Sequence, residues 1–428
     1  MVIDLSQQNI SMNCILNKKY LKAGEIEEIF LAIDIVPQSI GFSPVLANPV
    51  NICIVLDTSG SMADEEKLEQ AKLAAIQFIN SLGPYDPVSF ISFAGKAKIH
   101  IEATRRDSLG YVDNIIRDLK ADGTTNLYKA IENAFSVTVK GSSLQPDAIN
   151  RILLLTDGQP TVGKSKPSDF ISLSQQIQSN GISIITIGLG SDYNEDLLSL
   201  IASHSNGVWY HIRDSREIAQ IFQDQFREMK TVLLARPNLI FRLMSGAEIS
   251  EIYKIRPMLN KIEDAYRGGS TYEVSLTDVV GGKEQNIIFK ISLPARAVGH
   301  YRIAKVELKS GSQTYTHDVI VEYTDDQSLY LKEANPYPRL LMQSSESTVL
   351  LREGISVGDE TIIREAQTKL GRVLADQDAQ TVVRENPLLK DVVTAFNSAY
   401  QETVVRGHRF KPDELKDAKS KITTIKKQ

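Results

Sequence analysis

The chain has 428 residues, 42% hydrophobic and 24% charged, ordinary composition for a globular protein and long enough for about three domains. Its formal net charge of −5 provides no global basic field, and no Lys/Arg block occurs before the tail between Lys416 and Lys427, which disfavours nucleic acid and anionic membrane as partners. With only Cys14 and Cys53 there is no disulfide framework, no stretch approaches the roughly 20 apolar residues of a membrane span, and the opening MVIDLSQQNIS lacks a basic then apolar leader, so a soluble cytoplasmic protein is expected.

Taken from the amino terminus, Ile29, Leu31, Ile33 and Ile35 alternate with other residues, a period of two that predicts a half-buried antiparallel strand. From residue 51 to about 229 the pattern changes to short apolar runs separated by amphipathic stretches, as in a doubly wound, mostly parallel sheet with helices on both faces. The run 52–56 is continuously apolar and reads as a central strand. Behind it, Leu68, Ala71, Ala75, Phe78, Ile79 and Leu82 recur at helical spacing. Further strands are predicted at 88–93, 152–156, 182–189 and 208–212, with 97–102 as an antiparallel edge. Helices are predicted around 111–119, 127–137, 167–179, 195–202 and 216–230.

After Arg236 the period of two returns at Ile287, Phe289, Ile291 and Leu293 and again at Val319, Val321 and Tyr323. Antiparallel strands thus flank the α/β region, which is predicted to be inserted in a β-sandwich. Beyond about 325, Ile362, Ile363, Ala366, Leu370, Val373 and Leu374, then Leu388, Leu389, Val392, Val393 and Phe396, predict two or three helices in a small bundle, with Asn335-Pro336-Tyr337-Pro338 as the linker and a frayed polar tail from Lys411. The expected division is 1–48 for the first sandwich strands, 49–233 for the α/β domain, 236–325 for the rest of the sandwich and 339–428 for the helical region.

Three separated motifs carry chemistry: Asp57-Thr58-Ser59-Gly60-Ser61 after the first buried strand, Gly123-Thr124-Thr125-Asn126 in a loop, and Thr156-Asp157-Gly158 after another buried strand. Ligands of doubly wound sheets bind outside the carboxyl ends of the strands, where all three motifs can meet. Together they offer two carboxylates and three hydroxyls, hard oxygen donors that suit Mg²⁺ or Mn²⁺ better than Zn²⁺. A cation held mainly by neutral hydroxyls stays electron-poor and able to accept a carboxylate from another molecule.

NICIVLDTSGSM, ADGTTNLYKAI and RILLLTDGQPTVG resemble the metal-ion-dependent adhesion site (MIDAS) of von Willebrand factor A-type (VWA) domains, a similarity covering about residues 49–230. It implies that Asp57, Ser59, Ser61, Thr125 and Asp157 form a metal site, with Thr124 as the alternative threonine because it stands where family members typically have the glycine of Gly-Thr-Asn. The implied function is divalent-cation-dependent protein binding without enzymatic activity, a Glu or Asp of a protein partner completing the metal's shell. Met62, Asp64, Tyr128, Gln159 and Lys164 are candidate selectors of that partner. In related domains metal ligation is coupled to movement of the last helix, here near 216–229. The whole chain resembles bacterial intracellular VWA proteins and the VWA region of inter-alpha-trypsin-inhibitor heavy chains, which implies a scaffold or adaptor, in assembly with an ATPase, kinase or ubiquitin-like system.

Other readings compete. Singly, each motif can be a helix cap or a turn. Residues 158–165 satisfy the G-x-x-x-x-G-K-[ST] phosphate-loop pattern and would make the chain a nucleotide-binding enzyme, but Pro167 disfavours a helix starting at Gly163-Lys164-Ser165. Asp57 as a phosphoryl-accepting nucleophile lacks a proton-moving carboxylate, because Ser59 stands at the position where one is needed. His204 and His211, on either side of Trp209, are expected to be packing or surface residues and not a metal pair. A structural VWA protein with a vestigial site is the remaining alternative.

Overall fold

The computed structural model describes residues 10–38, 48–110, 112–190, 192–263, 265–376, 379–404 and 412–425. The chain divides into two compact units, one of Ile40–Val232 and one joining Met1–Ser39 to Leu233–Gln428.

In the first unit, strands numbered within it are β1 (Val50–Asp57), β2 (Pro87–Phe93), β3 (Ala97–Arg105), β4 (Ile149–Thr156), β5 (Ile182–Leu189) and β6 (Trp209–Ile212), arranged β3-β2-β1-β4-β5-β6. Only the β2–β3 pair is antiparallel. Every residue of β1 and of β4 is buried, and each contains an uninterrupted apolar run, 52–56 and 152–155. The helices are α1 (Lys67–Ser81), α2 (Val112–Arg117), α3 (Leu127–Leu144), α4 (Pro167–Ser179), α5 (Glu195–His204) and α6 (Ile218–Lys230). The strand order reverses at the adjacent β1 and β4, so the crevice of a doubly wound sheet opens above the residues that end these two strands.

The apolar stripe predicted for α1 is buried throughout. Helix α3 runs to Leu144, beyond its apolar pattern, because its later contacts are polar. Asn51 Nδ2 donates to the Thr138 carbonyl at 2.8 Å and to Asn150 Oδ1 at 2.7 Å, and the missing side chain of Gly141 leaves room for Asn51. Tyr111, the predicted start of the preceding helix, lies outside the described residues.

The second unit holds two sheets facing one apolar core. One has Ile10–Leu16, Glu27–Pro37, Gln285–Leu293, Glu248–Arg256 and Asn260–Lys261 in that order. The other has Tyr266–Gly268, Thr271–Ser275, Asn238–Leu243, Gly299–Ser310, Gln313–Thr324 and Tyr20–Lys22, only the last pair being parallel. Ile29, Leu31, Ile33, Ile35, Phe289 and Leu293 fill the core between the sheets.

The expectation of half-buried strands holds for Gln313–Thr324, where Ile320 is exposed between Val319 and Val321, and is corrected for Glu27–Pro37 and Gln285–Leu293. Phe30, Ala32 and Ile288, on the opposite face, belong to a second core with Leu340, Leu370, Leu389 and Phe396 of the carboxyl-terminal helices. Among the described residues from Tyr337 onward there are five helical segments, Tyr337–Val357, Glu360–Leu374, Ala379–Glu385, Pro387–Val404 and Pro412–Thr423, after a short helix at Gln327–Tyr330, where two or three helices were predicted. The first begins at Tyr337, inside the expected linker, and buries Ser344, Ser345, Ser347 and Thr348, residues that break an apolar pattern. The last is not a frayed tail: Ala418 and Ile422 are in the core, and Lys416 and Lys419 are buried.

Candidate metal centre

Asp57 ends β1 and Asp157 follows β4, so the pairing of these strands brings the two carboxylates to one place. Asp57 is fully buried. Its Oδ1 accepts from the Ser59 amide at 2.8 Å and its Oδ2 from the Thr156 hydroxyl at 2.5 Å. Burial pushes its carboxyl up to about 6, against the hydrogen bonds of Thr156 and Ser59, and the charge of Asp157 adds to the rise. Asp157 Oδ1 accepts from Ser61 Oγ at 2.7 Å, and the Ser59 and Ser61 hydroxyls lie 3.3 Å apart.

The loops are tied to one another by their backbones. Thr58 N donates to Phe93 O at 2.7 Å, Asp122 N to Thr58 O at 2.8 Å and Gly60 N to Gly123 O at 3.2 Å. Thr125 N donates to Thr161 Oγ1 at 2.8 Å, and Thr125 O accepts from Thr161 N at 2.9 Å and Val162 N at 3.3 Å. Next to it, Asn126 caps α3 by accepting from Lys129 N. Thr125 is therefore held by the loop that follows Asp157.

Gly158 marks where the hydroxyls meet. A Cβ on it would lie 3.4 Å from Thr125 Oγ1, 3.7 Å from Ser61 Oγ and 3.9 Å from Ser59 Oγ. Thr124 is exposed, and its hydroxyl lies toward Gly95, where a Cβ would come within 2.7 Å of it. All five predicted residues are thus gathered, with Thr125 and not Thr124 turned to the others. Among the described residues no group of three or more His, Cys, Asp or Glu side chains could hold a metal, so a cation at this place would depend on hydroxyls. The oxygen-only donor set fits a hard divalent cation.

A sequence model of the von Willebrand factor type A domain family matches residues 51–224. The chain carries a VWA domain. Among relatives, the protein sll0103 of Synechocystis sp. is 28% identical over 263 residues, 61% of this chain and 61% of that one. The mouse inter alpha-trypsin inhibitor heavy chain 4 is 27% identical over 217 residues, 49% of this chain and 22% of that one. The matches thus span less than two thirds of either relative. A solved structure described as von Willebrand factor type A from Catenulispora acidiphila has the same fold, with a TM-score of 0.77 at 16% identity, covering 98% of this chain and 97% of that one.

Around the VWA site, the candidate selectors divide. Met62 is fully buried and is corrected to a core residue, while Asp64, Gln159 and Lys164 are exposed and Tyr128 is half-buried. Lys164 Nζ lies 4.4 Å from the Tyr128 ring centroid and donates to its hydroxyl at 3.2 Å. The phosphate-loop geometry is not formed: Lys166 is extended at φ −73°, ψ 133°, and α4 starts at Pro167, after Gly163-Lys164-Ser165. His204 Nδ1 contacts Leu200 O at 2.9 Å and His211 Nδ1 contacts the Tyr193 hydroxyl at 2.7 Å, each in its own surroundings. No helix among the described residues is long and apolar enough to cross a membrane.

The sequence placed Thr156 and Gly158 in a motif without a role for either, and it missed Lys67, whose ammonium lies 3.0 Å from Asp157 Oδ2. Lys67 had a signal, since a lysine in the first turn of a helix opposes the helix dipole.

Proposed function

We propose that this protein is a divalent-cation-dependent protein-binding scaffold whose VWA domain holds Mg²⁺ or Mn²⁺ on Asp57, Ser59, Ser61, Thr125 and Asp157. The observation that carries the reading is the gathering of the Ser59, Ser61 and Thr125 hydroxyls around Gly158, beside two buried carboxylates. When bound, the cation supplies a Lewis-acidic position for a Glu or Asp carboxylate of a protein partner. Thr156 and the Ser59 amide orient Asp57, Ser61 orients Asp157, and the loop at Thr161 fixes Thr125. Asp64, Gln159 and Lys164, which are exposed, and Tyr128, which is half-buried, read the partner's flanking residues. A non-enzymatic role is supported by the donor set, which has no carboxylate at position 59 to move a proton.

Calorimetric titration with Mg²⁺ and Mn²⁺ tests this on the full chain. Saturable binding that disappears in Asp57→Ala, Asp157→Ala is expected. Absence of binding to the wild type, with or without an acidic peptide, would overturn it in favour of a VWA fold kept as scaffold alone.

A further inference from the structure

Lys67 is the first residue of α1, and its nearly buried side chain places the ammonium 3.0 Å from Asp157 Oδ2. Two local features work against this placement. A positive charge in the first helical turn faces the positive end of the helix dipole. The preceding residue, Glu66, sits at φ 57°, ψ 18°, in the left-handed region that non-glycine residues seldom occupy. Unfavourable backbone and unfavourable charge at one turn are a conflict that propensity does not resolve, and such conflicts collect at functional sites. Gly190, at φ 72°, borders the ammonium, and a Cβ there would stand in ordinary contact at 3.8 Å from Lys67 Nζ.

We infer that Lys67 is a resident positive charge of the metal site, a positioning residue that weakens binding of the bare cation and strengthens capture of a carboxylate. The inference rests on the metal-binding reading above. Asp157 uses Oδ1 for Ser61, which lines the site, and Oδ2 for Lys67. Asp57 and Asp157 contribute two negative charges and Lys67 one positive charge, leaving −1. A divalent cation therefore brings the cluster to +1, where without Lys67 it would reach neutrality. The residual positive charge repels free cation and is cancelled by one incoming carboxylate, which ties acceptance of the metal to the arrival of an acidic partner.

The test compares wild type with Lys67→Met and Lys67→Gln, the second keeping a hydrogen-bond donor without the charge. Calorimetry gives the Mn²⁺ affinity, and broadening of the acetate methyl resonance by protein-bound Mn²⁺ reports whether a carboxylate reaches the metal. Both variants are expected to bind Mn²⁺ roughly tenfold more tightly and to broaden acetate less at saturating Mn²⁺, whereas Lys67→Arg should stay near wild type. Loss of mere structural support would lower Mn²⁺ affinity, the opposite sign. Unchanged or weaker Mn²⁺ binding in both neutral variants, beside a wild type that binds, overturns the role of Lys67 and leaves the metal reading standing. A wild type that binds no Mn²⁺, with or without acetate, overturns both.

Discussion

Lys230, the last residue of α6, holds its ammonium 2.6 Å from Asp86 Oδ2, with both side chains buried, and the other oxygen of Asp86 accepts from the Val50 amide at 2.8 Å. Val50 begins β1 and Asp57 ends it. The carboxyl end of the last VWA helix is thereby fastened to the strand that ends at Asp57, an aspartate of the proposed metal site. Lys230→Met strands a buried carboxylate and is expected to cost about 3–5 kcal/mol in urea unfolding. Adding Asp86→Asn should recover a large part of that loss. If the double variant is no more stable than the single one, the pair is not the source of the cost.

The same anchor bears on any link between metal and helix. Hydrogen exchange in α6 of the wild type is expected to slow when Mn²⁺ and an acidic peptide are added together, and Lys230→Met should raise exchange in its last turn without ligand. Unchanged exchange in α6 on addition of both ligands refutes the coupling.

Gly158→Ala places a methyl group where three hydroxyls converge, at contact distances of 3.4–3.9 Å that the fold tolerates. Its melting temperature should stay close to wild type while Mn²⁺ affinity falls roughly tenfold or more, about 1.4 kcal/mol. An alanine variant with wild-type affinity would place the metal elsewhere.

Lys164 separates the metal and nucleotide readings because it belongs to the phosphate-loop pattern but engages Tyr128. ATP is expected to give no saturable binding to the metal-free protein, and Lys164→Ala should leave Mn²⁺ affinity unchanged. ATP binding lost on removal of Lys164 would revive the phosphate-loop reading.

Asp34, in the unit outside the VWA domain, provides a further pH dependence. Burial in the strand Glu27–Pro37 holds its carboxyl above the ordinary value of 3.8, despite the hydrogen bond from Asn286 at 2.7 Å. An acid raised on folding contributes stability that is present in acid and lost as pH rises through its folded-state value. Asp34→Asn removes this loss, and its amide can donate to Asn286 Oδ1, which has no hydrogen-bond partner among the described residues. Relative to wild type, the variant should gain stability in urea unfolding as the pH is raised from below 3.8 to neutrality; a difference that does not change with pH would contradict the assignment.

Much of the α/β unit was legible because its information is local. β5 and α4 have the predicted bounds, and the three motifs sit directly after or between elements whose burial patterns are strong. The helix Tyr337–Val357 was not legible, since its buried Ser344, Ser345, Ser347 and Thr348 erase the apolar period. The buried Lys416 and Lys419 were likewise hidden, because a lysine's side chain declares charge and not location.

From the sequence alone came the donor types, their order along the chain and the sheet on which they could meet, all consequences of residue chemistry and of periods of two and 3.6 residues. Tertiary structure alone decided that Thr125 and not Thr124 faces Ser59 and Ser61, that Phe30 and Ala32 are covered by helices more than 300 positions later, and that Lys67 reaches Asp157 across 90 positions. Periodicity reports which face of an element is buried, but not what covers it or which charge lies beyond it. Those relations arise only when distant segments pack, and here they turn a set of oxygen donors into a site with a defined charge.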